Sequence, residues 1–393
     1  MPLSYGQNLN PVLRTEPITV SLRFRSLLVD RPHPKAEHEL VSTVLSSSAS
    51  PTNYTITVVN EFVLLLISGQ RVLAWNWVTG KCHARIDSAI PGAITDAIPV
   101  QRTAFIAFRQ LANTPRLEVY TFSAKEPTSD APPPVLRAVY CLPSLQEGVE
   151  MDLQCRCDPP PFEYARLIHP DLSSLPPDIP SYLRRPFEIQ ETPRIVVLAM
   201  NVHTAVGVEQ SRDLAIVVPL QTFTATDLDP DAPPGDPRVV PASGWMDSAQ
   251  VLTDIPLLDS CVCYVYGTRF ATLYVDSLGR GNLCVNEFNP ATIAHLKHHH
   301  LEKQSEDLEY GESLEEFDIT EWTEGNTDVG LMLRKLDFTD QTFFKDPVRG
   351  GAPFLASVST DEIVVEQNET IGVMIDDERV LLVRVCGPCS MHY

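Results

Sequence analysis

The chain has 393 residues and a net charge of −21 at pH 7, which disfavours nucleic acid and anionic membrane surfaces as partners. Its 34 prolines lie mostly between apolar runs, so long helices are not expected there. No apolar run approaches the roughly 20 residues that span a bilayer, and the N-terminus lacks the layout of a signal peptide. We therefore expect a cytosolic or nuclear protein whose nine cysteines are mostly reduced.

Residues 1–50 form an N-terminal segment of mixed character. The sequence ITVSLRF at 18–24 predicts a strand, and residues 36–46 predict a short helix. The alternating sequence YTITVV at 54–59 then leads into the strongest pattern of the chain.

That pattern runs from Phe62 to Ile86 and predicts three antiparallel strands joined by two tight turns. The first strand is six apolar residues in a row, which is typical of a strand buried on both faces. Gly69 and Gly80 mark the turns, because glycine adopts positive φ without strain. The third strand alternates Lys81, His83 and Arg85 with smaller or apolar residues, which predicts a half-exposed strand.

Looser copies of this unit follow, separated by long proline-rich loops. The predicted strands lie at 103–108, 116–122, 135–141, 194–198, 205–209, 214–220, 261–266, 269–275, 283–288, 363–365, 371–375 and 380–385. At four strands per blade, the total predicts an all-β, β-propeller-like fold of roughly six to seven irregular blades. Residues 51–300 would hold most blades, and residues 329–393 the final blade and a tail. A pair of β-sandwich domains has the same strand spacing. Only a propeller predicts that a strand near the N-terminus shares a blade with residues 380–385, because an open blade leaves exposed edges.

Residues 301–328 interrupt the pattern with eleven acidic residues against one lysine, a net charge of −10. Such a block repels itself, so we expect a disordered, solvated insertion. The functional alternative is an acidic segment that binds a basic partner. In that reading Glu315, Glu316 and Trp322 are the candidate partner-binding residues.

Several motifs that suggest chemistry lack the context that the chemistry requires. The sequence CGPC at 386–389 has the spacing of a thioredoxin-type site, but only four residues follow it and no βαβ pattern precedes it. The histidines at 295 and 298–300 are not accompanied by a second ligand cluster nearby in the sequence. The cysteine pairs at 155/157 and 261/263 are weaker signals for a metal site than the histidines are. Residues 261 and 263 lie two apart in a predicted strand and so share a face, which favours small buried side chains. No nucleophile elbow or phosphate-binding loop is present, so we predict no cofactor, metal or catalytic residue.

Residues 62–86 resemble a WD-type repeat unit, with Asn76 in the place of the usual aspartate. A broader set of motifs, over roughly residues 54–385, resembles the C-terminal region of mushroom-type F-box proteins of fungi. These motifs are WNW at 75–77 with TG at 79–80, YGTRF at 266–270, EFNP at 287–290 and DDERV at 376–380. The resemblance implies a propeller-like region that recognises a target for a ubiquitin ligase. The F-box helices that dock a cullin–RING ligase are not recognisable in residues 1–50, so an adaptor role would require a divergent F-box.

We therefore predict a non-catalytic scaffold that binds a protein or peptide through loops on one face. The first alternative is a propeller-fold hydrolase or lyase with titratable groups at a central channel. Thiol redox chemistry at the CGPC sequence is the second alternative.

Overall fold

The computed structural model describes twenty stretches of the chain. They are residues 18–26, 31–45, 54–87, 92–111, 114–127, 132–157, 193–204, 211–225, 228–253, 264–275, 280–295, 319–324, 327–332, 337–338, 343–346, 348–349, 354–359, 363–364, 369–375 and 380–386.

Strands dominate these residues. In chain order they are β1 (Ile18–Arg23), β2 (Arg25–Ser26), β3 (Arg31–Pro32), β4 (Leu40–Leu45), β5 (Tyr54–Val59), β6 (Phe62–Ile67), β7 (Arg71–Asn76), β8 (Cys82–Asp87), β9 (Ala93–Gln101), β10 (Ala104–Gln110), β11 (Arg116–Thr121), β12 (Val135–Cys141), β13 (Val149–Cys157), β14 (Ile195–Thr204), β15 (Ser211–Pro219), β16 (Arg238–Val240), β17 (Gln250–Thr253), β18 (Val265–Tyr266), β19 (Arg269–Val275), β20 (Arg280–Glu287), β21 (Ile319–Glu324), β22 (Thr327–Met332), β23 (Asp337–Phe338), β24 (Val348–Arg349), β25 (Phe354–Ser359), β26 (Ile363–Val364), β27 (Glu369–Ile375) and β28 (Val380–Cys386).

The described helices are short. An α-helix covers Gln221–Thr224, 3₁₀ turns cover Ala242–Gly244 and Met246–Ser248, and a further helix covers 290–295. None of the described helices has the length and apolar character needed to cross a membrane. The predicted all-β class is confirmed.

The strands form four larger sheets between two terminal units. The N-terminal pair joins β1 to β4, and the C-terminal hairpin joins β27 to β28. Sheet 1 has the order β5-β6-β7-β8, sheet 2 has β16-β12-β11-β10-β9, and sheet 3 has β13-β14-β15-β17. Sheet 4 has the order β18-β19-β20-β25-β22-β21, with β26 also paired to β20. The two small pairs are β2-β3 and β23-β24.

These units pack on one another in chain order, and each interface contains a cluster of buried apolar side chains. The N-terminal pair packs on sheet 1, sheet 1 on sheet 2, and sheet 2 on sheet 3. Sheet 3, sheet 4 and the C-terminal hairpin share the last core. The first strands of successive units are also in contact: β5 with β9, β9 with β13, β13 with β18, and β18 with β27.

Strand β6 shows why the unbroken apolar run folds as predicted. Alternate residues of a strand point to opposite faces. Phe62, Leu64 and Leu66 therefore lie in the core with sheet 2, while Leu65 and Ile67 lie under the N-terminal pair. All six residues of the strand are buried. Burial contributes about 1.5–3 kcal/mol for each large apolar side chain, which makes this strand a main anchor of sheet 1.

The two turns of sheet 1 have the predicted backbone geometry. Gly69 and Gly80 have φ values of 69° and 71°. Asn76 organises the second turn, because its Oδ1 accepts hydrogen bonds from the backbone N–H groups of Val78 and Thr79 at 2.9 and 3.2 Å. Asparagine thus orders the turn at the position where the WD-type unit has aspartate.

Sheet 2 receives its last strand from a distant part of the chain. Strand β16 pairs in parallel with β12. Three strands of sheet 3, namely β13, β14 and β15, lie between them in the sequence. Arg137 secures the approach to β16 by donating hydrogen bonds to the carbonyl oxygens of Asp229, Ala232 and Pro233 at 2.7–3.1 Å. Sheets 2 and 3 are therefore interlocked by the path of the chain.

Two local predictions are wrong. Residues 40–45 of the predicted helix form strand β4, because β1 offers a hydrogen-bonding edge and Val41 packs on sheet 1. His83 was expected to face water but is 3% exposed, since its ring packs edge-on against Phe62 with centroids 5.1 Å apart.

Some predictions fall on residues that the structure does not describe, and one concerns the pairing of the terminal strands. The predicted strand at 205–209, and Cys261 with Cys263, lie outside the described residues. Within the described strands, β28 pairs with β27 and β1 pairs with β4, so the predicted shared blade of the two termini is not seen.

Candidate interaction surface

The acidic segment enters the described fold at strand β21, which forms the outer edge of sheet 4. Glu315 and Glu316 lie outside the described residues. Trp322 lies in β21, where its register partner on β22 is Val329. The end of the segment that was predicted to be a solvated insertion is thus a strand at a sheet edge, directly after the stretch that contains the two glutamates.

A second surface is the apolar row, which we define as Tyr54, Ile56 and Val58 on β5. The three residues are 53%, 45% and 44% exposed, respectively. The intervening Thr55 and Thr57 are less exposed. An amphipathic strand normally turns its apolar residues inward, so β5 has the reverse of the usual arrangement.

The apolar row remains open because the N-terminal pair covers only part of sheet 1. The register of β5 with β6 places Tyr54 opposite Ile67 and Ile56 opposite Leu65, on one face of the sheet. On this face Val41 of the N-terminal pair packs over Leu65 and Ile67. Strand β5 is at the sheet edge, beyond this cover. The row is therefore an exposed extension of a buried apolar face.

Charged groups in the interface between sheets 1 and 2 are buried as a connected cluster. Glu118 and Arg109 are each 1% exposed. Glu118 Oε2 accepts hydrogen bonds from Arg109 Nε at 2.8 Å and from the Tyr120 hydroxyl at 2.6 Å, while Oε1 accepts from Arg116 Nε at 2.8 Å. Burial, and then the Glu118 carboxylate, raises the pKa of Tyr120 well above its usual value. The tyrosine is therefore a permanent hydrogen-bond donor in this cluster.

A buried carboxylate links the first strands of sheets 2 and 3. Asp96 on β9 accepts hydrogen bonds from the backbone N–H of Cys155 at 2.6 Å and from Arg156 Nη1 at 3.3 Å, both on β13. It also accepts from the N–H of Ala97 at 2.8 Å. Burial raises the pKa of Asp96, although Arg156 and the two N–H groups oppose that shift. These contacts fix the spacing between two neighbouring first strands.

Sheet 3 has a polar end that faces water. His203 Nδ1 lies 3.2 Å from Asn201 Oδ1, and its Nε2 lies 3.7 Å from Glu150 Oε2. Asn201 Nδ2 donates to Asp213 Oδ1 at 2.7 Å. The Glu150 side chain is 64% exposed, so this chain of polar groups is a solvated surface rather than an enclosed reaction site.

The motifs that suggested chemistry are only partly within the described residues. Cys386 ends β28 and His295 ends the helix at 290–295, while residues 387–393 and 296–300 lie outside. Cys155 is fully buried, and burial followed by the charge of Asp96 raises the pKa of its thiol. Among the described side chains, no group of three or more His, Cys, Asp or Glu residues is placed to hold a metal ion.

Comparison with known proteins gives no match, either to a protein-family model or to a curated protein sequence. The candidate surfaces are therefore defined by their own geometry. Sequence reasoning singled out the acidic segment through its charge. It missed the apolar row, although the alternation of YTITVV was the signal, because that alternation does not say which set of residues faces the core.

Proposed function

We propose that the chain is a propeller-like scaffold that binds a basic protein or peptide without covalent chemistry. The observation that carries this proposal is the position of β21. It is an acidic edge strand, and it directly follows an acidic stretch at the rim of the largest sheet. An edge strand offers backbone N–H and C=O groups to an added strand, which is a common way to bind an extended peptide.

The ring-like arrangement is supported by the contacts between first strands. In a propeller, the first strand of each blade lies near the axis and beside the first strand of the next blade. The succession β5, β9, β13, β18 and β27 follows this rule. The outermost strand of a sheet then lies at the rim, and β21 is the outermost strand of sheet 4.

The interior supports a binding role over a catalytic one. Active sites need titratable groups that are poised in a cleft. In the described part of the chain, the buried acids Asp96 and Glu118 are each tied to an arginine, and Arg71 is tied to Asp87 at 2.5 Å. These charges stabilise interfaces between strands and sheets.

The resemblance to F-box proteins gives the proposal a biological setting, namely target recognition for a ubiquitin ligase. It rests on the sequence motifs alone. Co-purification of cullin–RING ligase subunits with the full chain would support this setting, and their absence alongside a captured target would restrict the proposal to the scaffold role.

The binding proposal is tested by affinity purification with mass spectrometry, using the full chain and the variant Glu315→Gln/Glu316→Gln. Asp236→Asn/Asp247→Asn is the matched control, because it neutralises two exposed acids elsewhere. We expect the first variant to lose a basic partner and the control to keep it. The affinity for that partner should also fall as salt concentration rises. Equal recovery by wild type, the glutamine variant and a deletion of residues 301–318 would contradict the proposal.

A further inference from the structure

A proline-rich stretch lies exposed at the edge of sheet 2. We define the proline segment as residues 233–237, which have the sequence PPGDP and directly precede β16. Its first four residues are exposed and Pro237 is half-buried. Strand β16 is the outermost strand of sheet 2. The segment is therefore open to solvent beside a sheet edge.

The local sequence holds the backbone of the proline segment in the polyproline II region. The segment contains no helix, strand or turn. Each proline ring fixes its φ at about −65°. A residue that precedes proline is restricted to extended conformations, which applies to Ala232, Pro233 and Asp236. Gly235 does not adopt the left-handed φ that would reverse the chain.

This conformation gives the proline segment a defined apolar face. Polyproline II has three residues per turn, so residues three apart share a face. Pro234 and Pro237 accordingly lie on one face, and Gly235 and Asp236 lie off it. A Cβ atom at Gly235 would have no described residue within 4 Å apart from its chain neighbours, so this flank of the segment is open.

Contacts at both ends order the proline segment before any partner binds. Upstream, the Arg137 guanidinium donates hydrogen bonds to the carbonyl oxygens of Ala232 and Pro233 at 2.7 and 3.1 Å. Downstream, the chain continues directly into β16, which is paired with β12. A segment that is already ordered loses little conformational entropy on binding, which favours affinity.

A second proline run enters sheet 2 at the same end but makes a different contact. Residues 132–134 directly precede β12, and β12 and β16 are parallel. The carbonyl oxygen of Pro132 accepts a hydrogen bond from the N–H of Arg85 at 3.0 Å, which joins this run to edge strand β8 of sheet 1. Of the three prolines in the run, only Pro133 is exposed. The proline segment is thus the more accessible of the two runs.

We propose that the proline segment is a docking site for a protein module with an aromatic-lined groove that recognises polyproline II ligands, as SH3 and WW domains do. Pro234 and Pro237 pack into the groove through the face that they share. This site is separate from the acidic segment, because it lies on sheet 2 and binds through apolar contact with proline rings rather than through charge.

The first test measures binding of the full chain to a panel of purified SH3 and WW domains by titration calorimetry. We expect at least one domain to bind the wild type. Pro234→Ala/Pro237→Ala should weaken that binding at least about tenfold, because it removes both ring contacts and the restriction on φ. Pro34→Ala/Pro290→Ala is the matched control, since it replaces two exposed prolines elsewhere, and it should bind as the wild type does. Absence of binding to every domain, or equal affinities of the two double variants, would overturn the proposal.

The second test is a competition experiment, which does not depend on the folding of a variant. A synthetic peptide of residues 229–241 should displace the bound domain from the full wild-type chain, whereas the same peptide with Pro234→Ala/Pro237→Ala should not. A wild-type peptide that fails to compete, or an alanine peptide that competes equally well, would also overturn the proposal. Deletion of residues 301–318 should leave domain binding unchanged, so failure of this proposal is distinguishable from failure of the binding role of the acidic segment.

Discussion

The buried cluster around Glu118 allows a direct test of how sheets 1 and 2 are held together. Replacing Glu118 with leucine removes the acceptor of three side chains and leaves Arg109 as an uncompensated charge with 1% exposure. Breaking a buried ion pair in this way costs about 3–5 kcal/mol. Arg116→Leu removes only the outer partner, whose side chain is 32% exposed, and should cost about 1 kcal/mol or less.

The assay is urea unfolding monitored by fluorescence, from which the free energy of unfolding is obtained for each variant. The double variant Arg109→Leu/Glu118→Leu completes a mutant cycle. Because the double variant leaves neither Arg109 nor Glu118 as a buried charge, we expect it to be more stable than Arg109→Leu alone or Glu118→Leu alone. The coupling energy between the two positions should be about 2 kcal/mol or more. If Glu118→Leu lowers the free energy of unfolding no more than Arg116→Leu does, the reasoning is wrong. It is also wrong if the losses in Arg109→Leu and Glu118→Leu add up to the loss in the double variant, because the cluster then does not stabilise the fold as a unit.

Three further predictions concern single positions. Burial raises the pKa of Asp96 on folding, so above pH 3.8 the folded state binds more protons than the unfolded state, and the free energy of unfolding falls as pH rises from 3.8 through the folded-state pKa. In urea titrations across pH, Asp96→Asn should remove this fall. An unchanged pH dependence of the free energy of unfolding would show that Asp96 is not its cause. The Cys155 thiol should react with a disulfide reagent at least about tenfold more slowly than the half-buried Cys157, since it is fully buried with a raised pKa; equal rates by mass mapping would show that β13 opens readily. Gly80→Ala should lower the free energy of unfolding by more than about 1 kcal/mol, because φ is positive and the new Cβ would lie 2.6 Å from the His38 ring. Adding His38→Ala to this variant should restore only the stability lost through the contact with His38. Full restoration would mean that the backbone strain at Gly80→Ala is negligible.

The sequence was most informative where a local pattern and its surroundings agree. Strand β6 could be predicted from its six apolar residues, because only a strand buried on both faces accommodates such a run. The turns at Gly69 and Gly80 could be predicted because the requirement for positive φ is local.

Features that depend on distant parts of the chain could not be predicted. Residues 40–45 are a strand because β1 is available to pair with them, a fact that local propensity does not contain. His83 is buried because Phe62 and the carbonyl of Ser123 meet it from other segments. The apolar row is exposed because the N-terminal pair covers only the adjoining part of sheet 1, and the sequence of β5 does not contain that information.

The same limit applies to the candidate site. The acidic composition of residues 301–328 was evident from the sequence. Its connection to an edge strand was not, because β22 pairs with β25 and β25 pairs with β20 although these strands are not consecutive in the sequence, and no short-range rule predicts such pairing. Charge therefore identified the segment, and topology gave its position.

The late arrival of β16 has a consequence for biosynthesis. During translation, β12 emerges from the ribosome roughly 100 residues before the strand that completes its sheet, so one edge of sheet 2 must wait while β13, β14 and β15 are made. Nascent chains arrested shortly before residue 238 should accordingly be the ones that chaperones retain, and arrest a few dozen residues later should release them.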